Sequence, residues 1–197
     1  MSQLMDIVSR QLTGDVIGRM GREIGADETS TERAVAAALP LLLGSLARNA
    51  QRPEGARSLN AALRDDHDGS LLDDPLGGML TPTTQSDGAK ILGHMFGQRE
   101  PAVRTGVGRA SGLDSGQVLR LMSMLAPIVM AALGRMRRQE DLDAGGLATR
   151  LDRERADMVN RDSTLGGLLT GMLDQDGDGS VMDDIGGSLL KGFLRPR

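Results

Sequence analysis

Two apolar runs, each with one proline inside it, set the limits on what this chain folds into. The first, residues 31–50, carries Val35, Leu39, Leu41, Leu42, Leu43 and Leu46 among alanines. The second, residues 116–138, carries Val118, Leu121, Met122, Met124, Leu125, Ile128, Val129 and Leu133. Both are far longer than a typical strand of about five or six residues. Both are apolar almost all round, which predicts buried helices rather than surface helices with one greasy stripe. Pro40 and Pro127 each remove an intrahelical hydrogen bond and predict a kink. Leu39, Leu42, Leu43, Leu125, Ile128 and Val129 are the expected core.

The rest of the chain agrees with an all-α fold. β-branched and aromatic residues are sparse, and no alternating run of useful length appears. Leu4, Ile7, Val8, Leu12, Val16, Ile17 and Met20 follow helical spacing. Glycine is common, at 27 of 197 residues, and Asp outnumbers Glu by 20 to 7. Asp and Gly favour turns and caps, so the helices are expected to be short and sharply ended. Asp27, or Thr29 and Ser30, supplies the cap of the first apolar helix, and Asp114 or Ser115 that of the second.

The two runs are related by a constant offset. Pro40 and Pro127, Asp27 and Asp114, and Gly25 and Gly112 are each 87 residues apart. Val16, Met20, Gly21 and Arg22 match Val103, Val107, Gly108 and Arg109 at the same offset. This predicts an internal duplication, with residues 16–48 superposing on 103–135. Farther on, Asp68-Gly69-Ser70 reappears as Asp178-Gly179-Ser180 at an offset of 110, so 23 extra residues fall within about 137–163. The organisation read from this is a first helical repeat over 1–80 and a linker over 81–87 (TPTTQSD). A second repeat over 88–197 follows, with the 137–163 insertion, an Asp/Gly loop and a tail helix. Gly88–Gly97 reads as a short helix opening the second half, and the insertion as a short surface helix plus linker.

Composition removes most chemistries. The chain has no Cys, Trp or Tyr, and its two histidines are His67 and His94. Disulfides, thiolate catalysis and Cys-based metal sites are excluded. The net charge of −4 argues against nucleic acid as a partner. The longest nearly apolar run, Leu121–Leu133, is short for a bilayer span, and no signal-peptide pattern opens the chain. A cytoplasmic location without a membrane span is expected.

The sharpest local pattern is Asp174-Gln-Asp176-Gly-Asp178-Gly179-Ser180-Val181-Met182-Asp183-Asp184-Ile185. Carboxylates at positions 1, 3 and 5, glycine at 6 and an aliphatic residue at 8 are what an EF-hand calcium loop needs. Position 12 is Ile185, which has no oxygen to offer. Asp183 or Asp184 would have to close a shortened loop, with Asp174, Asp176, Asp178 and the Ser180 carbonyl as the other ligands. Calcium is the one cofactor the sequence suggests. The competing reading is an Asp/Gly turn whose carboxylates cap the next helix. The first-half counterpart has Arg64 at position 1, which repels a divalent ion, and reads as a cap. Arg135, Arg137 and Arg138 read as cations complementing a helix C-terminus, the methionines at 122, 124, 130 and 136 as core filler, and neither histidine is given a catalytic role.

Several segments together resemble the bacterial YidB-like family, a domain of unknown function. They are Gly88–Gly97 (GAKILGHMFG), Ala110–Gln117 (ASGLDSGQ), Met124–Val129 (MLAPIV), Leu142–Ala148 (LDAGGLA) and Leu173–Asp184 (LDQDGDGSVMDD). The resemblance is closer over the second half than the first. It implies a compact multihelical fold and no known enzymatic activity, and supplies no catalytic residues. Two functions follow as expectations: a non-enzymatic module that binds a protein partner or itself, and a weak calcium-responsive module. A carboxylate-based hydrolase is a third class, without a pair of carboxylates in a visibly apolar setting.

Overall fold

The computed structural model describes residues 3–73 and 81–161, and the Asp174–Asp184 loop and the tail after it lie outside the described residues. The chain divides into two units, Met1–Asp157 and Met158–Arg197.

The described residues are all-α, without a strand. In chain order the helices are α1 (Gln3–Gln11), α2 (Gly14–Ile24), α3 (Glu28–Ala50), α4 (Pro53–Asp65), α5 (Pro82–Phe96), α6 (Glu100–Ser111), α7 (Ser115–Glu140) and α8 (Ala144–Arg161). Single 3₁₀ turns occupy Ser70–Asp73 and Gly97–Arg99. The 26-residue α7 is the hub: α1 to α6 and the Ser70–Asp73 turn all pack on it, α5 most extensively. The predicted core is in place, with Leu42, Leu125 and Ile128 at 0% exposure and Leu39, Leu43 and Val129 nearly so. Met122, Met124, Met130 and Met136 are also buried, filling the core around α7.

The helix ends follow the capping logic. Asp27 Oδ1 accepts the Ser30 amide at 2.9 Å. Asp114 caps α7 through the Gly116 and Gln117 amides, and the Gln117 side chain accepts the Asp114 amide in return, a capping box. Gly25 and Gly112 both end their helices in the left-handed region, at φ 72° and 84°, where a Cβ would strain the backbone. Gln117 Nε2 also donates to the Ile24 and Gly25 carbonyls, pinning the start of α7 to the end of α2.

Two readings of the sequence need correction. The run 81–87, read as a linker, is helical. Thr81 Oγ1 accepts the Thr84 amide at 3.1 Å and Pro82 sits in the first turn, where its missing N–H costs nothing. A Thr-Pro pair is a start signal, and the composition of a loop masked it. The 137–163 stretch is more than a surface helix, because Leu147, Leu151 and Glu154 of α8 are almost fully buried. Separately, α7 as a whole is long and apolar enough to cross a membrane by length and composition. Yet 78% of its most apolar window is buried inside the protein.

Pro127 has a specific consequence. Lacking an amide hydrogen, it leaves the Ser123 carbonyl, one turn earlier, without its helical partner. Gly88 of α5 lies against that carbonyl so closely that a Cβ there would fall 1.8 Å from the Ser123 oxygen. Gly93, one and a half turns along α5, is exposed and faces open space. Gly88→Ala is therefore expected to destabilise by at least about 2 kcal/mol through forced separation of α5 from α7. Gly93→Ala is expected to stabilise by up to about 1 kcal/mol. Urea unfolding of the two variants checks the contrast.

Leu42 and Ile128 have no exposed surface. Truncation of either to alanine is expected to cost about 2–5 kcal/mol, measured in the same way. A loss below about 1 kcal/mol would contradict the packing described.

Candidate functional site

A groove of about 370 Å³ opens where the loop after α4 meets the start of α5 and the middle of α7. Asp66, His67, Asp68, Thr84 and Asp87 provide its polar lining, and Pro127 and Ala131 part of its floor. This is the first-half Asp/Gly loop singled out in the sequence, and the local chemistry explains its shape. α4 ends at Asp65, and the amides of Asp66 and His67 both return to the Ala62 carbonyl at 3.0 Å. Gly69 then adopts φ 98°, reserved in practice for glycine. Asp68 Oδ1 accepts the Ser70 amide at 2.9 Å and starts the Ser70–Asp73 turn. The cap reading of this loop is thus what the structure contains.

The loop is clamped by the arginines at the end of α7. Arg135 donates to the Gly69 carbonyl at 2.9 Å and to the Asp73 carboxylate. Arg138 reaches Asp68 at 3.4 Å, and Arg137 donates to Asn60 of α4 at 2.6 Å. The sequence reading gave these cations a helix end to complement, which they do, but their reach to Gly69, Asp68 and Asn60 was missed. The signal that locates the contact is Gly134. A Cβ there would meet the His67 carbonyl at 1.8 Å, so only glycine lets the loop seat on α7. A Gly-Arg pair late in an apolar helix marks a place where something docks closely and is then held by charge.

The electrostatics follow from these contacts. The Ser70 amide and side chain, and then Arg138 and Arg135, hold the Asp68 carboxyl below its ordinary range. Burial pushes the His67 imidazole below its ordinary value, opposed by Asp66 and Asp87. Asp87 is paired with Lys90 of the same helix at 3.0 Å. His94 is exposed on α5. Among the described residues no three His, Asp or Glu side chains converge as metal ligands. The predicted ligands Asp174, Asp176, Asp178, Ser180, Asp183 and Asp184 lie outside the described residues.

Besides the clamped loop, half-buried charge occurs among the described residues in the Arg104–Glu100 pair of α6 at 3.3 Å and in a cluster on α8. There Arg150 pairs with the buried Glu154 at 3.1 Å and with Glu140 at 3.4 Å, and donates to Gln3 of α1 at 2.7 Å. Sequence reasoning did not single out either residue of the Arg150–Glu154 pair, although their i, i+4 spacing is a recognisable helix signal.

A family model described as a bacterial protein of unknown function (DUF937) matches residues 6–136. The chain belongs to that family, and the YidB-like resemblance is consistent with it. The match covers all of α3 and stops inside α7, so the segments 142–148 and 173–184 that contributed to the resemblance fall beyond it. No curated protein and no solved structure matches.

His67 provides a test of the groove's burial. Below its ordinary value of 6.5 the unfolded chain takes up a proton that the folded imidazole resists. Stability from this group is full above that pH and falls as the pH drops toward the lowered folded value. The lowered carboxyls act only near or below pH 4, outside this window. The urea midpoint is expected to decline between about pH 7 and pH 5, and the His67→Asn variant to show a shallower decline. Equal slopes would place the imidazole in water.

Proposed function

We propose that this member of the DUF937 family is a non-enzymatic helical module that acts by binding, to a protein partner or to itself. The observation that carries this reading is the use of the charged groups around the groove. Arg135, Arg138 and Asp68 are engaged with the loop backbone and with each other, and Asp87 with Lys90. Such groups hold a shape; catalytic groups are instead left convergent on a space where a substrate sits. The same reading takes the two halves as products of a duplication. Matching capped Asp27 and Asp114, left-handed Gly25 and Gly112, and prolines at the same helical position support it.

A second reading, calcium response through the 174–184 loop, is favoured by one specific pattern. Asp178-Gly179-Ser180 repeats in sequence the Asp68-Gly69-Ser70 turn, Asp176 repeats Asp66, and Asp174 supplies at position 1 the carboxylate that the first copy replaces with Arg64. With Asp174, Asp176, Asp178, the Ser180 carbonyl and Asp183 or Asp184 as ligands, affinity falls on the order of 10⁻⁴ M or weaker, since no bidentate Glu closes the loop.

One set of measurements separates the classes. Under the calcium reading, millimolar calcium raises the melting temperature and gives heat in a calorimetric titration. Asp174→Ala with Asp178→Ala abolishes both, whereas Asp66→Ala with Asp68→Ala leaves the calcium increment intact. No heat at millimolar calcium leaves the cap reading. Turnover of a simple ester or phosphodiester, lost in His67→Asn, would sink the non-enzymatic reading altogether.

A further inference from the structure

The family match ends at residue 136, and α8 lies wholly beyond it. Yet α8 is not a loosely attached appendage. Leu147 and Leu151 are at 0% and 1% exposure, and Glu154 at 1%. Its polar ties reach three other segments: Arg150 to Gln3 on α1 and to Glu140 on α7, and Asp152 to Gln51 just after α3. In this chain, α8 thus packs on residues that lie within the matched span.

What joins α8 to the core is a turn of three residues, Asp141–Asp143. Among the described residues, Asp141 is the one non-glycine with positive φ, at 49°. That left-handed conformation is unfavourable for an L residue, and aspartate tolerates it better than most. The opposing contribution is the cap: Asp143 Oδ1 accepts the Gly146 amide at 2.7 Å and starts α8. If residues 141–143 became right-handed helix, the strain would be relieved and the cap lost, and the two changes offset. α7 and α8 would then run as one helix about 70 Å long at 1.5 Å per residue. In that form α8 stands clear of its own body with Leu147 and Leu151 in water. A second copy in the same form offers an identical vacated surface, and every α8 contact re-forms between copies. Short strained hinges are where such exchange occurs.

We propose that α8 is an exchangeable element, and that two copies of this chain trade α8 across the Asp141–Asp143 hinge to form a reciprocal dimer. This rests on the binding reading above and gives it a partner, a second copy of the chain.

The absence of native cysteine makes the test direct. Gln51 and Asp152 hydrogen-bond through exposed side chains at 3.4 Å. Full-length chains carrying Gln51→Cys in one preparation and Asp152→Cys in another are mixed, unfolded and refolded together at high concentration, then mildly oxidised. Covalent dimer severalfold above that of either preparation alone, rising further with Asp143→Ala and falling with Asp141→Gly, is the expected result. Light scattering on the native chain and on Asp143→Ala, from micromolar to millimolar, is the companion measurement. Chains that stay monomeric throughout overturn the proposal. Dimers that form without the 51–152 link above background also overturn it, while leaving the binding reading standing on another surface.

Discussion

The structure depends on the burial of α7. A helix apolar on nearly every face has no stable position at a surface, so other elements must enclose it. α1 to α6 and the Ser70–Asp73 turn do so, and the 0–1% exposure of Leu121, Met122, Leu125, Ile128 and Leu133 is the measure of how completely. Apart from α3, which is itself apolar on most faces, the helices that form this enclosure need only one apolar stripe each. α2 and α4 have such stripes, in Val16, Met20 and Ile24 and in Ala56, Leu59 and Leu63. Burying a strongly apolar centre stabilises the whole, while the peripheral helices keep a polar face to water.

How near the neighbours come is set by small residues and by backbone groups rather than by the large apolar ones. Pro127 exposes the Ser123 carbonyl inside the core, where an unpaired acceptor is costly. The close approach of Gly88 covers it with the backbone of α5. At Gly134 the logic is the same with the roles exchanged: the helix supplies the missing side chain and the loop supplies the carbonyl. One proline and two glycines thus fix where α5 and the Asp66–Ser70 loop rest on α7, and the groove between them is the space left over.

Much of this was legible in the sequence because it depends on local rules. The two buried helices, their aspartate caps and the buried methionines follow from period, capping and composition, which need no knowledge of neighbours. What was not legible depends on the third dimension. Thr81-Pro82 carries a helix-start signal, but TPTTQSD has the composition of a loop, and only packing on α7 decides between them. Leu147 and Leu151 are too sparse to announce burial; the Arg150 ties to Gln3 and Glu140 bring that face inward. Arg135 and Arg138 are ordinary cations at a helix end until Gly134 brings the loop within their reach.

The distribution of charge separates holding from recognising. Exposed ion pairs such as Arg64–Asp65 and Asp87–Lys90 contribute little to stability. The half-buried guanidinium groups matter more, because each bonds to a backbone carbonyl or amide oxygen as well as to a carboxylate. Arg135 does this for the Asp/Gly loop and Arg150 for α8. Truncating either arginine would leave oxygens without a donor at the seam it closes, a larger loss than that of an exposed pair. Both arginines act at the C-terminal side of α7, one on its last turns and one just beyond it. The end of α7 is therefore where the core is completed: by a loop from the first half on one side, and on the other by a helix that the family span does not include.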